Sequence, residues 1–168
     1  HTAVSHLYFC AGEAIFCEGE TLEKPRMLMV KSGLLQYHRL LAPEIEHVRE
    51  GCALGEASLW TKWTHRGTLI ASTDCRVLAL DSASFVEIVS SLQQCRQPFR
   101  PEDYAKHFCD YLKGLDRADL SDIVPVDILT KMTKDKPPQF SNDSAPNPTE
   151  PTGPVPKISV IDMENMSS

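Results

Sequence analysis

Gly51-Cys52-Ala53-Leu54-Gly55-Glu56-Ala57-Ser58-Leu59-Trp60 is the stretch that decides how this chain folds. A Gly-Glu step after a strand, followed by small residues, reads as one turn of helix whose first N–H groups have no partner inside the helix. Such amides, with the helix dipole, favour negative charge. A carboxylate such as Glu56 can accept hydrogen bonds from a ribose hydroxyl and from nearby amides. A basic residue about ten positions later can return over the same pocket and neutralise an anion. The plainer alternative is that Glu56 only caps the short helix.

Outward from this cassette the chain reads as short strands divided by turn residues. On the N-terminal side, Tyr8-Phe9, Ala14-Ile15-Phe16 and Met27-Leu28-Met29-Val30 are strand candidates, punctuated by Gly12 and Gly19. Leu34 to Leu40 follows, and the turn at Ser32-Gly33 predicts a β-hairpin. Pro43, Glu44 and Glu46 suggest a solvated loop. On the C-terminal side, Thr68-Leu69-Ile70-Ala71 and Arg76-Val77-Leu78-Ala79-Leu80 flank the turn Ser72-Thr73-Asp74. Many short strands with glycine at the turns predict an antiparallel, jelly-roll-like β-roll.

Two helices are expected after the roll. Asp81 or Ser82 can cap the first, whose apolar face is Phe85, Ile88, Val89 and Leu92. Pro101 suits the first position of the second, with Glu102 and Asp103 complementing its dipole. Tyr104, Phe108, Tyr111, Leu112 and Leu115 line one face, and Gly114 is the stop. The fold class is therefore α+β: residues 1–115 form the roll and its helices, and 116–125 a short helical or irregular connector. Residues 126–168 are expected to be a disordered tail, because 137–156 hold seven prolines with Ser, Asn, Thr and Gly and almost nothing apolar.

Composition narrows the function. A net charge of -6 with no run of Lys or Arg argues against nucleic acid as a partner. Six cysteines at wide, irregular spacing, none in a C-x-x-C pair, suggest reduced thiols in a cytosolic compartment. No apolar run approaches the roughly 18 residues of a membrane span, and no signal peptide is visible. The start at His1 without an initiator Met suggests a piece of a longer protein. No nucleophile elbow, P-loop or dinucleotide-binding turn is present, so an enzyme is not expected. His65 lacks partners at a zinc spacing, so no metal is expected either. Trp60 and Trp63 fit core packing better than stacking on a base.

The motif Phe9-x-Ala-Gly12-Glu13-x-Ile15-x-x-Glu18-Gly19, with Gly33 and Gly55-Glu56-x-Ser58-Leu59, resembles the cyclic-nucleotide-binding domain family. Thr73-Asp74-Cys75-Arg76-Val77-Leu78-x-Leu80-Asp81-x-x-x-Phe85 is similar to that family's last strand and following helix. The resemblance implies that Gly55 and Glu56 meet the ribose and that the amides of Ala57 and Ser58 meet the cyclic phosphate of cyclic AMP or cyclic GMP. It places His65 where the family carries a phosphate-binding Arg, with Arg66 one step off. Gly67-Thr68 replaces the small pair that follows. Tyr104, Phe108 and Tyr111 would cover the pocket as a lid. A neutral His cannot reproduce the bidentate contact of a guanidinium.

Leu59-Trp60-x-x-Trp63-x-His65-x-Gly67-x-Leu69 resembles a variant found in protist and algal voltage-gated, potassium-type cation channels. This implies a regulatory domain on the cytosolic face of a membrane protein, with the parent channel and homotetramer neighbours as partners. Two alternatives stay open: a ligand-free docking module of the same fold, and a cyclic-nucleotide sensor of a kinase.

Overall fold

The computed structural model describes residues 3–92 and 100–134. Two four-stranded antiparallel sheets face each other. One runs β1 (Val4–Phe9), β8 (Cys75–Asp81), β3 (Arg26–Ser32), β6 (Ala53–Leu54). The other runs β2 (Ala14–Phe16), β7 (Thr68–Ala71), β4 (Leu35–Arg39), β5 (Ala42–Val48). Four helices complete the described chain: α1 (Ala57–Trp60), α2 (Ser82–Leu92), α3 (Pro101–Lys113) and α4 (Val126–Lys134). The expected α+β architecture, an antiparallel roll with helices after it, is what the chain adopts.

Strand alternation builds the core. Leu28 and Val30 point inward while Met29 between them is exposed, and Cys75, Val77 and Ala79 repeat the period on β8. From the opposite sheet, Phe16, Leu35, Tyr37, Val48 and Leu69 fill the space between. Burying each large apolar side chain contributes roughly 1.5–3 kcal/mol relative to leaving it exposed.

Two strand pairings differ from the sequence reading. The turn at Gly33 does not close a hairpin: β3 pairs with β8 and β6, whereas β4 pairs with β5 and β7. It is a corner where the chain changes sheets. Gly33 has φ +98°, and a Cβ there would lie 2.5 Å from Cys75 Sγ and 2.6 Å from the Asp74 carbonyl. This crossing needs glycine for both conformation and space. The true hairpin is β4–β5, so Glu44 and Glu46 lie on a strand and not in a loop. Pro43 is tolerated because β5 is an edge strand.

The helical region also departs from expectation. Asp81 caps α2 through the Ser84 N–H, 2.8 Å away, and that bond holds its carboxyl below the ordinary range. On α2, Phe85 and Val89 turn inward but Ile88 is exposed, so the contact face is narrower than the apolar pattern suggests. Pro101 begins α3 and Gly114 ends it as read from the sequence. Residues 126–134 are helix α4 and not the start of a tail, because Leu129 and Met132 find apolar neighbours in the helical cluster. The proline-rich 137–156 and the rest of the expected tail lie outside the described residues.

Candidate functional site

Gly55 opens the site. Its φ of +70° sharply redirects the chain from β6 into α1, and its missing side chain leaves a space bordered by the Arg26 carbonyl and the His65 ring. Within α1 the Ser58 N–H donates to the Gly55 carbonyl and the Leu59 N–H to the Glu56 carbonyl. The Ser58 hydroxyl also donates to Gly55 O at 2.7 Å. Ala57 and Ser58 are both buried.

Glu56 sits at the N-cap of α1, yet its carboxylate makes no capping bond. It accepts instead from the Tyr104 hydroxyl at 2.5 Å and from Trp60 Nε1 at 3.5 Å. A simple capping role is thereby replaced by a tie between α1 and α3. Burial pushes the Glu56 carboxyl above its ordinary 4.5, and the two donors offset only part of that rise. A raised folded-state value means that its stabilising contribution is complete below 4.5 and is lost as pH climbs through the folded value. Glu56→Gln keeps an acceptor and removes the charge. We expect its melting temperature to match or exceed that of the wild type at pH 7, with the order reversing near pH 4. A mutant that loses stability equally at both pH values would contradict the assignment.

His65 is fixed on three sides. Its N–H donates to the Glu20 carbonyl at 2.9 Å, and its own carbonyl accepts from Gly19 N–H at 2.9 Å. The ring stacks on Phe16 with centroids 3.7 Å apart and planes 6° from parallel. The next residue behaves differently, as side-chain alternation demands. The Arg66 guanidinium lies over the Trp63 ring, 5.2 Å from its centroid. Gly67 is packed so tightly that a Cβ would meet the Tyr37 ring and the His38 carbonyl at 2.6 Å. The Thr68 hydroxyl accepts from the Glu18 N–H at 3.1 Å.

At the centre stands a residue the sequence reading assigned to a connector: Asp122, whose side chain is fully buried. Its Oδ1 lies 2.7 Å from Trp63 Nε1 and 2.7 Å from His65 Nδ1. Its Oδ2 accepts from the Tyr37 hydroxyl at 2.8 Å and from the Arg66 N–H at 2.7 Å. An ionised carboxylate only accepts, so His65 carries its proton on Nδ1. The main chain joins in: Gly55 N–H donates to the Asp122 carbonyl at 2.8 Å, and Asp122 N–H donates to the Tyr37 oxygen at 3.0 Å. Tyr37 is held in its neutral, donating form, because burial and then the Asp122 charge push its hydroxyl well above the usual range.

The structure therefore brings Gly55, His65 and the Arg66 amide together around one carboxylate, and adds Tyr37, Trp63 and Phe16, which sequence reasoning did not place there. Of the three aromatics expected to cover the pocket, Tyr104 reaches Glu56 and Phe108 is buried in the helical cluster. Tyr111 instead lines a cavity of about 260 Å³ with Arg39, Leu115 and Ser121. Trp60 and Trp63 are both buried, as the packing reading expects, but Trp63 also serves as a donor. Among the described residues no cluster of three or more His, Cys, Asp or Glu could hold a metal. Nor is any described helix long and apolar enough to cross a membrane.

The roll thus carries a Gly-Glu turn, a helix tied to that turn through Tyr104, and a buried carboxylate held by four donors. Residues 6–91, just over half of the 168, match the profile of the cyclic nucleotide-binding domain, and the chain belongs to that family. No curated protein matches the sequence. Among solved structures, a cyclic nucleotide-binding-like protein from Brucella abortus is 23% identical, with a TM-score of 0.45, over 51% of this chain and 75% of that one. The regulatory domain of Toxoplasma gondii PKA, crystallised with cAMP, is 24% identical with a TM-score of 0.46, over 55% of this chain and 36% of that one. The C-linker/CNBHD of zELK channels, crystallised in the presence of cAMP, is 16% identical with a TM-score of 0.48, over 55% and 46%.

Proposed function

We propose that this domain regulates a larger protein by coupling the state of its pocket to the position of its C-terminal helices, with cyclic AMP or cyclic GMP as the external ligand. The observation that carries the reading is the Tyr104–Glu56 hydrogen bond of 2.5 Å. The residue placed to meet a ribose is the residue that holds α3, so ligand and helix compete for one carboxylate. A ligand shifts such an equilibrium only by its differential affinity for the two helix positions, and here that difference has a definite atomic source. His65, Arg66, Gly67 and Thr68 bound the phosphate side, and Tyr104 and Phe108 the lid.

The parent protein in this reading is a potassium-type cation channel, with the domain on the cytosolic face and homotetramer neighbours as partners. The Leu59 to Leu69 pattern supports that context. Calorimetric titration with cyclic AMP and cyclic GMP tests the ligand. Saturable binding in the micromolar range, lost in Glu56→Ala, is expected. An absence of heat up to millimolar ligand in both the wild type and Asp122→Ala would leave a ligand-free docking module. That second reading is favoured by one observation: His65 at the expected Arg position is already engaged with a residue of its own chain.

A further inference from the structure

Asp122 satisfies the donors that a phosphate would use. Each carboxylate oxygen takes two short hydrogen bonds, from Trp63 and His65 on one side and from Tyr37 and the Arg66 amide on the other. A phosphodiester offers the same thing, two anionic oxygens that accept and do not donate. The cradle cannot hold both. Arg66 Nε, on the residue whose amide grips Asp122, is buried without a hydrogen-bond partner among the described residues.

The segment carrying Asp122 is lightly held elsewhere. Asp116 to Asp119 are exposed, and the Arg39 guanidinium bond to the Ala118 carbonyl is long at 3.3 Å. Ile123 is only half-buried against the roll core, while Leu120 and Val124 touch the helical cluster. Three residues beyond Asp122, the Pro125 carbonyl accepts from Ile128 N–H at 3.0 Å and opens helix α4. Asp122 therefore stands three residues before the carbonyl that opens α4.

We propose that Asp122 is a built-in ligand of this pocket, and that a phosphate-bearing ligand enters by expelling the 116–125 segment and releasing α4. The inference rests on the regulatory reading above and names how that site is governed. When only the fraction of molecules with Asp122 out is competent, apparent affinity falls by that fraction.

The test uses the full 168-residue chain and two probes, cyclic AMP and inorganic phosphate. Binding is followed by calorimetry and by the Trp63 indole N–H resonance, identified with Trp63→Phe. Asp122→Ala should bind at least one probe about tenfold or more tightly than the wild type. Ile123→Ala loosens the segment without touching the cradle, and it should shift affinity in the same direction. It also keeps the test open if Asp122→Ala fails to fold. In the wild type, saturating probe should move the amide resonances of Val126–Lys134. Equal affinity in wild type and both variants would overturn the competition while leaving cyclic-nucleotide sensing intact. Tighter binding of phosphate but not of cyclic AMP would uphold the competition and remove the nucleotide from the regulatory reading. Binding of neither probe to either variant would overturn the inference.

Discussion

Phe108→Ala lowers the unfolding free energy by about 3–5 kcal/mol, among the larger losses a single substitution can cause. The Phe108 side chain is fully buried, stacked near Tyr104 with ring centroids 6.1 Å apart, and surrounded by Cys109, Leu112 and the α1 residues. Truncation removes that contact area and leaves a void that helix backbones can only partly close. Because Phe108 belongs to the helical cluster and not to the inter-sheet core, the loss falls first on α3. Urea unfolding should show a lower midpoint, and a changed slope would signal that the roll outlives its helices. The same variant should weaken the Tyr104–Glu56 tie, since Tyr104 stands one turn away on the same face. A Phe108→Ala protein as stable as the wild type would mean that α3 does not pack against α1.

The local half of the site was legible in the sequence and the long-range half was not. Gly55 and Glu56 announce themselves because a positive-φ glycine and a carboxylate at a strand-to-helix step leave a local signature. His65 and Arg66 are picked out by the family resemblance, which sets His65 at the Arg position and Arg66 one step off, and alternation along the chain sends their side chains to different places. The helices α2 and α3 were readable from caps and apolar period, though Ile88 shows that an apolar residue on a helix can still face solvent. The Gly33 corner was misread as a hairpin because a tight glycine turn between two apolar runs looks alike whether the runs pair or change sheets. Only the pairing of β3 with β8, some 50 residues away, separates the two cases. Asp122 left no local trace. Its bonds reach Trp63 and His65 across 59 and 57 residues, and Tyr37 across 85. Its connector does carry a hint in retrospect: Leu120, Ile123 and Val124 are too apolar for a solvated loop, so something in that stretch had to be buried.

Asp122→Ala removes about 3–5 kcal/mol of stability, as loss of one member of a buried charged network does. The magnitude follows from what is left behind: the Trp63 indole N–H, the Tyr37 hydroxyl and the Arg66 amide lose their acceptor in a site closed to water, each at a cost of about 1–3 kcal/mol before any relaxation. Water entering the vacated space would soften the total, which is why the sum of the separate costs overstates it. Asp119→Ala, three residues earlier and exposed, changes stability by no more than about 0.5 kcal/mol. That contrast separates a buried anchor from an ordinary surface acid in the same segment. Asp122→Asn should fall between, because its amide keeps one acceptor oxygen but turns an NH2 group toward donors that need an acceptor. A double-mutant cycle with His65→Ala isolates the pair, and a coupling of about 0.5–3 kcal/mol is expected from direct contact within one network. Additive losses would instead mean that His65 is held by its stack on Phe16 and its two backbone bonds alone. Asp122 would then be anchored by Tyr37, Trp63 and the Arg66 amide, with no help from the residue that stands in the expected Arg position.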